Sequence, residues 1–290
     1  MAPKYPLINV HGHMTKHPGE GEERLVRARE DGVVRFCCAT IDDSEWSYSS
    51  DELAPLFEKY PDFLVGLGYL NMGREVDPPD RVDALKAQGF AGLKAIIPFR
   101  AYNDDAYFPL YERAEKLGMP ILFHTGWVAG TDPDLVRRFD IDATKYTPYT
   151  LDRIARYFPE LRIIGAHLGH PHFDDALQLL HAFPNVYFDF SGGGCSAHWV
   201  ATLKRVLAPF PGADLDDPDQ NPAHGYFRKF CFATDNPRAS KWYPASEDIC
   251  DYLHIPEAAR QLFYYKNACH IFGWEDLARD LEKPQKWGHS

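Results

Sequence analysis

Two histidines near the start of the chain could bind a metal ion. His11 and His13 follow the apolar run Leu7–Val10 and are separated by one residue. If that run is a β-strand, both side chains point to the same face, because side chains alternate along a strand. Neutral imidazole is a common ligand of zinc and related ions, so the pair could hold one cation. The pair is weak evidence by itself in a chain with 13 histidines, and it gains weight only if other strands also end in ligands.

Short apolar runs of strand length recur along the 290-residue chain, and stretches with helical spacing of apolar residues lie between them. Several runs are apolar throughout, which is typical of parallel strands buried on both faces. Prolines in repeated aromatic-Pro-polar-apolar patterns, as at Phe158–Leu161, end a helix just before a strand. The predicted strands are Leu7–Val10, Val33–Ala39, Phe63–Leu70, Gly92–Ile97, Ile121–Phe123, Arg162–Ala166, Val186–Phe190 and Phe230–Ala233.

This alternation predicts an α/β protein, a (β/α)8 TIM barrel that forms a single domain over residues 1–290. The alternative is an open doubly wound sheet, which usually carries a Gly-rich phosphate-binding turn after its first strand. Here the first strand ends in histidines and no such turn follows. The barrel is therefore the preferred prediction.

Residues of ligand type recur at the carboxyl ends of the predicted strands, where the active sites of barrels lie. Strand five ends at His124, strand six at His167 and strand eight at Asp235. Together with His11 and His13, these residues could form a mixed nitrogen and oxygen site for one divalent ion, with His167 close beside it. Ligand types at four independent strand ends are a much stronger signal than any one of them.

The sequence resembles the amidohydrolase superfamily, in particular the amidohydrolase-related branch that includes aminocarboxymuconate-semialdehyde and resorcylate-type decarboxylases. The resemblance extends from the His11-Gly12-His13 motif to the Asn-Ala segment at residues 267–268. It implies one divalent metal ion. Zinc is the preferred candidate, and manganese and iron are the alternatives. The ligands that it implies are His11, His13, His124 and Asp235.

The same resemblance implies an enzyme. Asp235 would also shuttle a proton, and His167 would orient or deprotonate the metal-bound water. A divalent metal can lower the pKa of bound water from about 15.7 to about 7. The function implied is a metal-dependent hydrolase or decarboxylase (a lyase) that acts on a small carboxylate-bearing substrate, aromatic or lactone-like, through a metal-activated water. The alternatives are a metal-free lactonase and a non-catalytic binding barrel, each of which should have lost several ligands.

Cationic and aromatic residues follow strands four, five and eight and could bind the substrate. Arg100, Trp127 and Arg238 are the candidates, because guanidinium binds a carboxylate bidentately and an aromatic rim suits a planar acid. Arg138 lies in the same region as Trp127. For each of them a solvated loop position is the alternative.

Lys94 leaves the number of metal ions open. In binuclear amidohydrolases a lysine of the fourth strand is carbamylated and bridges two metals, with histidines of strands five and six as ligands of the second. Three strand-like residues follow Lys94 in this sequence. They predict that it lies below the rim of the barrel, so one metal is preferred. His170, just past strand six, is expected beside the site or at a helix cap rather than as a ligand.

The composition limits the partners. The net charge of −11 disfavours nucleic acid and anionic membranes, which attract basic surfaces. Cys37, Cys38 and Cys231 lie in apolar runs, so they are expected to be buried and reduced. No apolar run approaches the roughly 18 residues of a membrane span. We expect a cytoplasmic protein with a small-molecule substrate, and we leave open whether it is a homo-oligomer.

Overall fold

The computed structural model describes residues 3–42, 44–128, 133, 136–137, 140–236 and 238–283. Seven parallel strands form one sheet, and each strand pairs with its neighbours in sequence. The strands β1 to β7 are Leu7–Gly12, Val33–Ala39, Leu64–Tyr69, Gly92–Ala95, Ile121–Phe123, Ile163–Gly165 and Val186–Phe188. Their residues are buried apart from the half-buried Val34 and Arg35. A parallel sheet buried in this way is covered on both faces, as the apolar runs predict.

Helices follow the strands along the chain. The helix Phe108–Leu117, for example, buries Leu110, Tyr111 and Ala114 and is capped by Gly118, whose φ of 65° suits a left-handed cap. The last described helix is Glu275–Glu282, and residues 284–290 lie outside the described residues. The described α-helices α1 to α13 are Glu22–Glu30, Ser50–Leu53, Leu56–Lys59, Asp80–Ala87, Phe108–Leu117, Leu151–Tyr157, Phe173–Ala182, Ala197–Leu207, Ala223–Phe227, Ala239–Tyr252, Glu257–Gln261, Asn267–Phe272 and Glu275–Glu282.

The predicted eighth strand, Phe230–Ala233, does not form a regular strand. Residues 230–235 make isolated parallel bridges instead, Phe230 with Phe188 of β7 and Asp235 with Gly12 of β1. The Cys231 N–H donates to the Phe188 carbonyl over 2.9 Å, and the Val10 N–H donates to the Phe232 carbonyl over 3.0 Å. Both edge strands thus bond to one segment, which requires the sheet to curl. The parallel α/β class is confirmed, and a regular eighth strand is absent from the described part of the chain.

The other predicted strand limits agree with the structure to within a few residues. β2 and β5 have the predicted bounds, β1 extends two residues further to include His11, and β4 stops two residues early at Ala95. The cysteines are free, and Cys37, Cys38 and Cys231 are buried as expected. Among the described residues, every helix is too short or too polar to cross a bilayer.

Candidate metal centre and substrate cavity

The carboxyl ends of the strands bring four histidines together. His11 ends β1 with Gly12, His13 follows it, and His124 follows β5 directly. The His167 ring lies 5.2 Å from the His11 ring and 5.0 Å from the His124 ring, measured between centroids. The His11 and His13 rings lie 5.2 Å apart. The side-chain alternation of β1 therefore places the first pair on one face, and parallel strands deliver the other two histidines to the same edge.

Each of the four histidines donates a hydrogen bond from its ring to an acceptor whose position is fixed by the fold. His11 Nδ1 donates to the Asp189 carboxylate (3.0 Å). His13 Nδ1 donates to the Ala39 carbonyl (2.9 Å), and His167 Nδ1 donates to the Ser191 carbonyl (2.9 Å). The His124 ring bonds to the backbone of Gly126. Since carbonyl and carboxylate oxygens only accept, Nδ1 carries the proton and Nε2 of a neutral ring keeps its lone pair.

The Nε2 atoms of His11 and His13 face one another, and Nε2 of His11 also lies 3.4 Å from Lys94 Nζ. His11 Nε2 and His13 Nε2 lie 3.3 Å apart, and Asp235 Oδ1 lies 3.8 Å from the first and 3.5 Å from the second. His124 Nε2 is buried and has no hydrogen-bond partner among the described residues. Buried polar atoms are rarely left without a partner. Lone pairs pointing at one another in this way require a proton or a cation between them.

The spacing suits a single divalent ion. Ligands about 2.1 Å from a tetrahedral zinc ion lie about 3.4 Å from one another, close to the His11–His13 and His13–Asp235 separations. Donor atoms of His11, His167 and Asp235 also lie within 4.8 Å of one another. Burial lowers the pKa of His11, lowers that of His13 to about 3 and lowers that of His124 well below its usual value. The rings are therefore neutral at pH 7, which is the form that binds metal. These residues fit a metal ion.

Asp235 adopts a left-handed backbone conformation. Its φ is 56°, in the left-handed region that L residues other than Gly, Asn and Asp rarely adopt. The Asp235 N–H donates to the His11 carbonyl over 2.7 Å, which fixes the carboxylate beside the first ligand pair. Burial opposes ionisation of Asp235, but His11, His167, His13 and Lys94 outweigh it and lower its pKa. The side chain is therefore a carboxylate at neutral pH.

Asp189 is a site residue that the sequence analysis missed. It is fully buried, follows β7 and accepts hydrogen bonds from His11 Nδ1, from the His167 backbone N–H (3.1 Å) and from the Ser191 hydroxyl (2.6 Å). Burial opposes ionisation, but His11 and these hydrogen bonds lower the pKa of Asp189 below its usual range. A carboxylate that orients a metal-binding imidazole is a common device. The signal for it was a lone acidic residue inside the predicted run Val186–Phe190.

Lys94 reaches the histidine cluster. β4 ends one residue after it, and its Nζ lies 3.4 Å from His11 Nε2. The expectation that Lys94 lies below the rim is therefore wrong, because the following residues leave the strand earlier than their apolar character predicts. Lys94 is fully buried, and burial lowers its pKa to about 8.

A cavity of about 440 Å³ opens over this cluster. Its walls carry Trp127 and Trp46, which are 65% and 43% exposed, and the buried Trp199. The Trp46 ring lies 6.3 Å from that of His13, measured between centroids. The other described lining residues are Ile41, Ile96, Val128, His170, Gly192, Gly193, Ser196, His198 and Asn236, beside His11, His13, His124, His167 and Asp235. The cavity is aromatic on its sides and metal-binding at its base.

The structure does not bring the two candidate arginines to this cavity. Arg238 pairs with Asp31 over 2.6 Å and lines a separate cavity of about 260 Å³. Arg100 stacks near Phe99, 5.9 Å from its ring centre, and is not among the described lining residues. Arg138 lies outside the described residues. Of the three candidate substrate contacts, only Trp127 lines the cavity.

The substitution Gly192 → Ala should disturb the site although it replaces none of the candidate metal ligands. The φ of Gly192 is +110°, and an added Cβ would lie 2.9 Å from Nδ1 of His167. The side chain would push that imidazole off the Ser191 carbonyl. Because displacements near 1 Å can cost about 10²-fold in rate, we expect kcat to fall by about that factor. Gly194, with nothing within 4 Å of an added Cβ, provides the matched control Gly194 → Ala; equal losses in both variants would contradict a role for His167.

A sequence-family model described as amidohydrolase matches residues 15–274 of this chain. The chain belongs to the amidohydrolase family. The matched range begins after His11 and His13, so the assignment of these two residues depends on the geometry described above.

Solved structures resemble most of the chain at low sequence identity. A 4-oxalomesaconate hydratase from Rhodopseudomonas palustris has 17% identity and a TM-score of 0.61, covering 94% of this chain and 98% of that one. A probable 2-pyrone-4,6-dicarboxylic acid hydrolase from Acinetobacter baumannii, with citric acid bound, has 13% identity and a TM-score of 0.60, covering 92% and 99%. These likenesses show a shared fold.

A third structure contains a metal ion. The 5-carboxyvanillate decarboxylase from Novosphingobium aromaticivorans, in complex with manganese and 4-hydroxy-3-methoxy-5-nitrobenzoic acid, has 18% identity and a TM-score of 0.54, covering 87% of this chain and 80% of that one. Among curated proteins, a dihydroorotase from Yersinia enterocolitica is 40% identical over 63 residues, which is 22% of this chain. The match spans only 17% of that dihydroorotase.

Proposed function

We propose that this amidohydrolase is a metal-dependent hydrolase or decarboxylase that acts on a small aromatic carboxylate. The observation that carries the proposal is the shared orientation of His11, His13, His124 and His167. Their other ring nitrogens are occupied by fixed acceptors. The Nε2 atoms of His11 and His13 lie 3.8 and 3.5 Å from Asp235 Oδ1, and Nε2 of His124 has no hydrogen-bond partner among the described residues. We further infer that the sheet and residues 230–235 work as a closed (β/α)8 barrel, with the site at its carboxyl end.

The candidate ligands are His11, His13, His124 and Asp235. Three imidazoles and a carboxylate suit zinc, while manganese and iron accept the same donors. A divalent ion held there would act as a Lewis acid and would lower the pKa of a coordinated water to about 7. His167 Nε2 can accept a hydrogen bond from a water molecule or substrate group at the base of the cavity, which would orient that group.

Asp235 is the proposed proton carrier. In a decarboxylation Asp235 would first take a proton from a water molecule at the site and then deliver it to the ring carbon that bears the carboxylate. The carbon–carbon bond would break, its electron pair would return to the ring, and the hydroxide left from the water would combine with the released carbon dioxide as bicarbonate. In a hydrolysis it would take a proton from water and pass it to the leaving oxygen. The three tryptophans of the cavity favour a planar substrate in both cases. Decarboxylase and hydrolase neighbours support both reactions, and lactone hydrolysis is the second candidate.

Metal removal should abolish activity. We expect about one divalent ion per purified chain, loss of turnover after dialysis against a chelator, and recovery when zinc or manganese is restored. Hydroxybenzoates, 5-carboxyvanillate, 4-oxalomesaconate and 2-pyrone-4,6-dicarboxylate form a suitable substrate panel. Metal content is read by elemental analysis and turnover by absorbance.

The variant His13 → Ala should lose the metal, whereas His172 → Ala, an exposed histidine, should keep it. Turnover that survives complete metal removal would favour the metal-free lactonase. A metal content near two per chain would instead assign Lys94 a bridging role.

A further inference from the structure

His170 is a polar residue of the cavity that the proposed chemistry does not use. It lines the cavity together with His198, Ser196 and Trp199. Its Nδ1 is buried and has no hydrogen-bond partner among the described residues. A buried polar atom without a partner costs about 1–3 kcal/mol unless water or a ligand satisfies it. The His170 ring lines a cavity that a substrate can enter, so a substrate group is a natural partner for the imidazole.

The position of His170 is fixed on several sides. Its ring meets the Trp199 ring edge-on, 4.9 Å between centroids at 87°, and lies 5.4 Å from the Phe173 ring. Its backbone N–H donates to the His167 carbonyl over 3.0 Å, and its carbonyl accepts from the Trp127 N–H over 2.9 Å. The imidazole is thus tied both to the metal centre and to the aromatic wall, which is a pre-organised arrangement for substrate recognition.

The charge of this wall indicates the kind of group that it can bind. The described lining residues include no lysine or arginine. Burial, together with His167, His198 and His172, lowers the pKa of His170, so its ring is neutral at pH 7. Among the described lining residues, no cation would compensate a second carboxylate for the water that it loses, and such uncompensated burial is costly. A hydroxyl or amide can both give and accept a hydrogen bond, as a neutral imidazole requires.

We propose, on the basis of the proposed function, that His170 is a specificity residue that hydrogen-bonds a neutral hydroxyl or amide substituent of the aromatic substrate. His198, exposed at the start of α8, completes the polar side of the same wall. The substrate class is therefore an aromatic monocarboxylate with a neutral polar substituent away from the metal, rather than a dicarboxylate.

Ligand binding to the zinc-loaded protein tests this proposal by calorimetry. The probes are benzoate, 3- and 4-hydroxybenzoate, isophthalate and terephthalate. We expect at least one hydroxybenzoate to bind about 5- to 10-fold more tightly than benzoate, as one hydrogen bond provides, and both dicarboxylates to bind more weakly. His170 → Phe should remove the gain that the hydroxyl provides relative to benzoate in the same variant. The matched control His172 → Phe, on the exposed neighbour, should keep the gain.

The outcomes separate this proposal from the proposed function. If benzoate binds only to the metal-loaded protein but neither hydroxyl adds affinity, the subsite is wrong and the metal-dependent function stands. Tighter binding of isophthalate or terephthalate also overturns the subsite. If benzoate does not bind to metal-loaded protein, the proposed function fails and the subsite fails with it. The wild-type comparison needs no variant, and His170 → Gln, which can still hydrogen-bond, should retain part of the gain if His170 → Phe does not fold.

Discussion

Replacement of Asp235 by Asn is expected to lower kcat by about 10³-fold, within the range of lost general acid–base catalysis. Asn keeps the size of the side chain and tolerates the left-handed backbone that Asp235 adopts, with φ of 56°. It cannot carry the proton, and its amide is a poorer metal ligand than a carboxylate. The fold should survive because Asp235 is held to the sheet through its backbone N–H, which the substitution leaves in place.

Three measurements on Asp235 → Asn distinguish the explanations. Thermal melting should show a cooperative transition close to that of the wild type. Metal analysis distinguishes a variant that has lost the ion from one that has lost only the proton carrier. Either result is consistent with the proposed roles of Asp235. Asp62 → Asn, with a side chain that is 94% exposed, is the matched control and should turn over normally. Turnover near the wild-type level in Asp235 → Asn would contradict its role as proton carrier.

Replacement of Asp189 by Asn is expected to weaken metal binding by about 10- to 100-fold, the usual cost of losing a carboxylate that orients a ligand. The Asn amide nitrogen donates and cannot accept from His11 Nδ1–H. His11 would then turn or move its proton to Nε2, which is the nitrogen that faces the metal. Fully buried Asp189 also accepts from His167 and Ser191, so we also expect a loss of roughly 1–3 kcal/mol in the free energy of unfolding.

The pH of the Asp189 → Asn measurement matters. In the folded protein the pKa of Asp189 is lowered from 3.8. The carboxylate therefore stabilises the fold at pH values above the pKa that Asp189 has in the unfolded chain. This contribution is lost as the pH falls toward the pKa of Asp189 in the folded protein. Metal affinity and Tm should therefore be compared near pH 7. A Tm and a metal Kd equal to those of the wild type would show that Asp189 neither orients His11 nor stabilises the site.

The sequence determined the α/β class and most of the candidate metal site. Strand limits followed from uniformly apolar runs, which are a local property, and the rule that strand carboxyl ends share an edge brought His11, His124, His167 and Asp235 together. The geometry agrees with that convergence. The family followed from the same residues, and the match over residues 15–274 confirms it.

Only the tertiary structure decided which partner each side chain finds. Arg238 pairs with Asp31, 207 positions away in sequence, and so turns from the cavity; Asp189 and Lys94 meet His11 from two other strands. Strand and helix periodicities fix which face a side chain occupies, because they depend on neighbours in sequence. Hydrogen bonds, ion pairs and the orientation of an imidazole depend on residues far away in sequence, and these become neighbours only when the sheet has curled.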